Sequence, residues 1–163
     1  MSTRCQVHVV CEGVGWTEAC TLYHHFDGYP SNIVPLIAKA FELSGKGWEA
    51  GRAGKAASFL CAADPGGFEP EEGHELHGDI EFYYVVHLVN KHHGCVGDKP
   101  AWEVEVLVPT EGFWKNGLEA QCTVADLKPL RKRQPLASLM RWVADEEAKR
   151  AAERDRKAAA QPA

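Results

Sequence analysis

The sequence predicts an α+β fold, an antiparallel or mixed sheet with helices packed on one face, in the order β-β-α-α-β-β-(β)-α. Three observations carry this. Period-two alternation of apolar residues marks two strand pairs, Cys5–Glu12 with Glu18–Phe26 and Ile80–Val89 with Trp102–Val108, each joined by a turn-rich connection. Two segments with helical apolar faces lie between the pairs, without the βαβ rhythm of a doubly wound sheet. The 163 residues are 45% hydrophobic and 25% charged, which suits one core-forming domain. That domain is expected over residues 1–135, and residues 136–163 are expected to form a C-terminal helix with a frayed end.

The first hairpin turns at Gly13-Val14-Gly15-Trp16-Thr17, where two glycines in five linking residues suit a reversal. Cys5, Val7, Val9 and Cys11 share one face of the first strand. Asp27-Gly28-Tyr29-Pro30 then breaks the extended run, because Gly28 tolerates unusual φ and Pro30 holds Tyr29 extended. The first helix is expected to be capped by Ser31 or Asn32, with Pro35 early enough to cost no helical bond. Its apolar face is Ile33, Val34, Leu36, Ile37, Ala40, Phe41 and Leu43, and Gly45 and Gly47 end it. A second, alanine-rich helix covers Arg52–Ala63 and stops at Asp64-Pro65-Gly66-Gly67.

Phe68–Gly78 reads as an acidic loop carrying Glu69, Glu71, Glu72 and Glu75. In the strand that follows, Ile80, Phe82, Tyr84, Val86 and Leu88 lie on one face. Asn90–Pro100 reads as the hairpin connection, and Trp102, Val104, Val106 and Val108 point inward on the returning strand. This alternation implies one sheet face against the core and the other against water. A turn is expected at Gly112-Phe113-Trp114 and a short strand at Leu118–Val124. Lys128–Pro135 reads as a basic connector, and the last helix, from Leu136, buries Leu136, Leu139, Met140, Trp142 and Val143.

Composition excludes several function classes. A net charge of −5 argues against a general nucleic-acid binder, and nucleic acid is not expected as a direct partner. No apolar run reaches the ~20 residues of a membrane span, and MSTRCQVHVV has no signal-peptide pattern, so a cytoplasmic protein is expected. The six cysteines, Cys5, Cys11, Cys20, Cys61, Cys95 and Cys122, contain no C-x-x-C and read as reduced thiols. Walker A, G-x-S-x-G and H-E-x-x-H patterns are missing, and no cofactor is expected.

The candidate site is Tyr23-His24-His25-Phe26-Asp27-Gly28-Tyr29-Pro30, at a strand end leading into a helix N-terminus. A helix N-terminus offers unpaired N–H groups and partial positive charge, which favour anions. The ligand-binding candidates are Tyr23, His25, Asp27, Gly28, Tyr29, Ser31 and Asn32. The catalytic candidates are His25 as a general base and Asp27 as its orienting carboxylate. The alternative for the same octet is structural, a turn shaped by Asp27 and Gly28 with packed aromatics. His74, His77 and Asp79, with Glu81, form a weaker polar cluster of metal-ligating residue types; no local spacing demands a metal. His92, His93 and Cys95 read as a surface turn.

Tyr23, His25, Asp27, Gly28, Tyr29 and Pro30 resemble a Tyr-x-His-x-Asp-Gly-Tyr-Pro signature of small, largely uncharacterised proteins from phages, prophages and bacteria. Arg52–Ala63 and His77–Tyr84 are also similar to that family, and the likeness covers residues 1–110. The resemblance implies a mobile-element context, with host cytoplasm as the compartment if the gene is phage-borne. The leading expectation is therefore an accessory protein that binds and occupies a protein partner, such as a CRISPR effector of host defence, without catalysing a reaction. The alternatives are a nucleotide or phosphate ligand at the strand-to-helix corner, and a hydrolase or nuclease using His25 and Asp27.

Overall fold

The structure, a computed structural model, describes residues 3–13, 16–45, 51–89, 101–115 and 123–160. It is α+β, with a mixed six-stranded sheet in the order β3-β2-β1-β4-β5-β6. The strands are β1 Cys5–Gly13, β2 Trp16–His24, β3 Phe68–Pro70, β4 Phe82–Val89, β5 Ala101–Pro109 and β6 Leu127–Pro135. The helices are α1 Pro30–Leu43, α2 Ala53–Ala63, α3 Glu111–Lys115 and α4 Leu136–Ala159. Only β1 and β4 pair parallel; the other neighbours are antiparallel. A parallel pair requires a crossover, and α1 and α2 occupy it.

The main core lies where α1, α2 and α4 cover one sheet face. Cys5, Val7, Val9, Leu22, Tyr84, Val86, Leu88, Trp102, Val104 and Val106 meet Ile33, Val34 and Ile37 of α1 and Leu60 of α2. The small Ala53, Ala56, Ala57 and Ala63 of α2 join the same core, and Lys39 Nζ ties α1 to α2 by donating to the Ala63 carbonyl at 2.8 Å. From α4, Leu136, Leu139 and Val143 are buried in this core, while the second half of the helix is largely exposed. Cys5, Cys20 and Cys61 are thiols and are in no disulfide, and Cys95 and Cys122 lie outside the described residues. Among the described residues no helix is long and apolar enough to cross a membrane.

Five sequence expectations are corrected. The basic segment expected as a connector is β6, an edge strand with two register shifts against β5. It needs no apolar alternation, because main-chain bonds to one neighbour suffice at an edge. The start of the acidic segment, Phe68–Pro70, is a three-residue edge strand against β2. Helix α1 begins at Pro30, not beyond Ser31, with Tyr29 as an extended N-cap and no side-chain cap bond. Proline suits this first helical position, since its missing N–H would have no intrahelical partner. The early start places Pro35 inside the helix, where it cannot donate to the Ser31 carbonyl one turn back. Gly112-Phe113-Trp114 lies within the single-turn helix α3.

The fifth correction matters most for function. The second sheet face does not simply meet water. Tyr23, Ile80, Tyr83, Leu107, Phe113 and Leu127 form a smaller buried cluster there. Ile80 therefore packs opposite to the face its alternation with Phe82 and Tyr84 suggested. Phe113 reaches the cluster from α3. Residues 71–80 cross this face outside regular structure. The expected hairpin connection Asn90–Pro100 and most of the expected strand Leu118–Val124 lie outside the described residues; Val124 itself opens a 3-10 turn, Val124–Asp126.

Candidate functional site

The octet forms a corner fastened by backbone. Asp27 takes a left-handed conformation, φ 52°, which aspartate tolerates better than most residues. Gly28 N–H donates to the Thr3 carbonyl at 2.9 Å, and the Gly28 carbonyl accepts from the buried Tyr84 hydroxyl at 2.8 Å. A Cβ on Gly28 would stand 2.9 Å from both the Arg4 carbonyl carbon and Cys5 Cβ, so the backbones approach too closely for a side chain. The Asn32 side-chain amide donates to the Asp27 carbonyl at 3.0 Å, bracing the turn from within α1.

From this corner the candidate residues diverge. Tyr23 and His25 turn to the second sheet face and line an open cleft of about 740 Å³ with Arg4, Glu69, Glu71, Glu72, Glu75, His77 and Asp79. Asp27 and Gly28 are not in its wall. Tyr29 is half-exposed and sets its ring edge-on to Phe82, with centroids 5.9 Å apart. Ser31 lines a separate cavity with Glu147, Arg150 and Arg154 of α4.

Each ring in the cleft is held by an acid. His25 Nε2 lies 3.0 Å from Glu69 Oε2, so the carboxylate on this imidazole comes from β3. His77 Nε2 pairs with Glu71. The Tyr23 hydroxyl donates to Asp79 Oδ1 at 3.1 Å, and the other oxygen of Asp79 pairs with Arg4. The rings of His25 and His77 stand 4.7 and 4.5 Å from that of Tyr23. Burial, reinforced by the Asp79 charge, pushes the Tyr23 phenol up to about 12, so it acts as a donor and not as a base near neutrality.

Buried Gln6 holds the cleft wall to the sheet. Its amide donates to Glu71 Oε2 at 2.6 Å and to the Glu75 carbonyl at 2.9 Å, and its carbonyl accepts from His77 N–H at 3.0 Å. Two residues along β1, His8 Nδ1 is 3.0 Å from Thr21 Oγ1, which is 2.7 Å from His74 Nδ1. His74, His77 and Asp79 thus take different partners, and among the described residues no three His, Cys, Asp or Glu side chains are placed to hold a metal ion.

Sequence reasoning placed Tyr23 and His25 but missed Arg4, Gln6, His8, Thr21 and the wall positions of Glu69 and Glu71. One signal was present: Gln6 and His8 are polar on the face of β1 opposite Cys5, Val7 and Val9, in a chain that also holds a segment dense in acid. The cleft carries five carboxylates against one guanidinium, which favours cations and disfavours phosphate. No protein-family profile, curated protein or solved structure matches the chain.

Proposed function

We propose that this chain is a binding protein that occupies a partner, and that the acidic cleft receives a basic segment of that partner. The supporting observation is the juxtaposition of five acidic side chains with the rings of Tyr23, His25 and His77 in one open cleft. A unit positive charge 4 Å from a carboxylate gains ~4 kcal/mol at a surface-like dielectric, before screening and desolvation, and an anion loses as much. Aromatic rings add attraction for guanidinium and ammonium groups. The mobile-element resemblance of the octet suggests a host protein as partner. A CRISPR effector, which carries basic surface for nucleic acid, has the matching charge.

The test is fluorescence anisotropy with a labelled arginine-rich peptide and a neutral peptide of equal length. The arginine peptide is expected to bind with steep salt dependence, and Glu72→Lys with Glu75→Lys to weaken it about tenfold or more. Equal binding of both peptides, or binding indifferent to the double substitution, would refute the reading.

A second reading keeps His25 as a general base. Its proximity to Glu69 in an open cleft supports a histidine–carboxylate pair, with Glu69 in the role first given to Asp27. Hydrolytic turnover that vanishes in His25→Ala would favour it over simple binding.

A further inference from the structure

The segment 71–80 supplies much of the cleft wall, including Glu71, Glu72, Glu75, His77 and Asp79. Two side chains of β1 fasten it: Gln6, through its three bonds, and His8, through Thr21 to His74. We propose that the His8–Thr21–His74 relay is a pH-operated latch, whose protonation releases segment 71–80 from the sheet and dismantles the cleft. For its consequence, loss of a cationic guest, this rests on the reading of the cleft given above.

Both Thr21 contacts and the hydroxyl's own hydrogen are satisfied together only when one imidazole accepts and the other donates. Thr21 is buried, and its hydroxyl has one hydrogen to give. That hydrogen goes to one imidazole Nδ1, and the other imidazole donates Nδ1–H to Thr21 Oγ1. The accepting Nδ1 must therefore be unprotonated. Taking up a proton there deletes the hydroxyl's acceptor, and once both rings are protonated two cations stand with ring centroids 5.2 Å apart.

The groups packed around His8 oppose that second charge. On β2 the neighbour is uncharged Thr21. From segment 71–80 it is His74. From β4 they are His87 and the Tyr83 ring, stacked 6.2 Å away. Burial, with the His74 and His87 charges behind it, moves the His8 imidazole below its ordinary value. Two of the nearby acids are engaged elsewhere. Glu71 is held by Gln6 and His77, and Glu103, across from His87 on β5, pairs with Arg133; Glu105 lies opposite Val85. His25 and His77 face the cleft, paired with Glu69 and Glu71.

The test is hydrogen exchange read by mass spectrometry at about pH 8 and about pH 5.5, corrected for intrinsic rates. Protection of peptides spanning 71–80 is expected to fall about tenfold at the lower pH while β4 and β5 stay protected. In His8→Asn, whose amide keeps a hydrogen-bonding group toward Thr21 without a titrating charge, the fall is expected to shrink to within about threefold. Protection unchanged by pH, an equal fall in His8→Asn, or simultaneous loss throughout the sheet would each overturn the latch. Should His8→Asn fail to fold, an NMR titration of the wild-type histidines decides. His8 titrating together with the opening of segment 71–80 supports the latch, and His8 titrating with that segment unmoved refutes it. Arginine-peptide binding is measured in parallel. Its absence at pH 8 sinks the reading of the cleft alone, and its persistence at pH 5.5 beside an opened segment sinks the claim that opening dismantles the cleft.

Discussion

Replacing Gly28 by alanine tests whether the octet is a fastened corner. The new methyl would lie 2.9 Å from the Arg4 carbonyl carbon and 2.9 Å from Cys5 Cβ, where ordinary contacts are nearer 3.5–4.0 Å. Neither neighbour is the end of a flexible side chain. Relief requires moving the start of β1 or the corner, and both carry bonds: Gly28 N–H to Thr3 and the Gly28 carbonyl to Tyr84. Overpacking of this kind costs about 1–3 kcal/mol, and stretching one of those buried bonds adds about 1 kcal/mol. The expected loss is therefore about 2–4 kcal/mol, a fall in Tm of roughly 5–12 °C for a chain of this size. Urea denaturation followed by circular dichroism measures it, with Gly78→Ala as the control. A methyl on Gly78 would meet nothing within 4 Å, and its φ is not positive, so its alanine variant is expected to be neutral within about 0.5 kcal/mol. A Gly28→Ala variant as stable as Gly78→Ala would refute the close approach and the corner built on it.

The other expectations follow from single contacts. Tyr84→Phe deletes the hydroxyl that satisfies the Gly28 carbonyl in the core and is expected to cost about 1–3 kcal/mol in the same denaturation assay. Gln6→Ala removes the three bonds that hold segment 71–80; amide exchange in that segment is expected to accelerate about tenfold or more, and unchanged exchange would show that the segment is held otherwise. For His8, proton binding is weaker in the folded chain than in the unfolded one. Its contribution to stability is complete above its ordinary value of 6.5 and declines as pH falls through that value towards the lower folded one; urea midpoints between about pH 8 and pH 5 check the slope. The phenols behave in the alkaline range. Tyr23 and Tyr83 are raised to about 12 and Tyr84 is raised by burial, so the unfolded chain ionises first and stability declines as pH rises from 10 towards 12. Ultraviolet titration should show the phenols of Tyr23, Tyr83 and Tyr84 still largely un-ionised at about pH 11 while the fold persists.

What the sequence disclosed depended on how much each element relies on its own residues. The strands β1, β4 and β5 and the helices α1 and α2 announce themselves, because each buries a periodic apolar face in the main core, to which β2 adds Leu22 and the partly buried Cys20. β6 does not. Lys128, Pro129, Arg131, Lys132 and Arg133 carry no apolar alternation, and their strand conformation comes from pairing with β5. The second cluster was equally hidden, since Tyr23, Ile80, Leu107, Phe113 and Leu127 come from five separate stretches that only the tertiary fold unites. The site divides in the same way. Tyr23 and His25 were visible in a local motif. The carboxylate of His25 lies 44 residues away and that bonded to Gln6 lies 65 away, and no local spacing encodes such pairs.

Charge follows the order of the strands, which changes the meaning of the net value of −5. The acidic cleft gathers beside β3 at one edge of the sheet, while Lys128, Arg131, Lys132 and Arg133 lie on β6 at the other. Five inter-strand spacings separate those edges, about 24 Å, several times the ~8 Å screening length of physiological salt. The two regions therefore cannot neutralise each other, and an approaching molecule meets whichever edge it faces. On the basic edge some charge is already engaged: Arg133 pairs with Glu103, and the Arg131 guanidinium lies 4.6 Å over the Trp142 ring. The cleft keeps a surplus of acid after its one arginine is counted. A weakly acidic average thus conceals one acid-rich edge, which is why the net charge spoke only against a general nucleic-acid binder while the arrangement of β3, Gln6 and segment 71–80 gathers five carboxylates in one cleft.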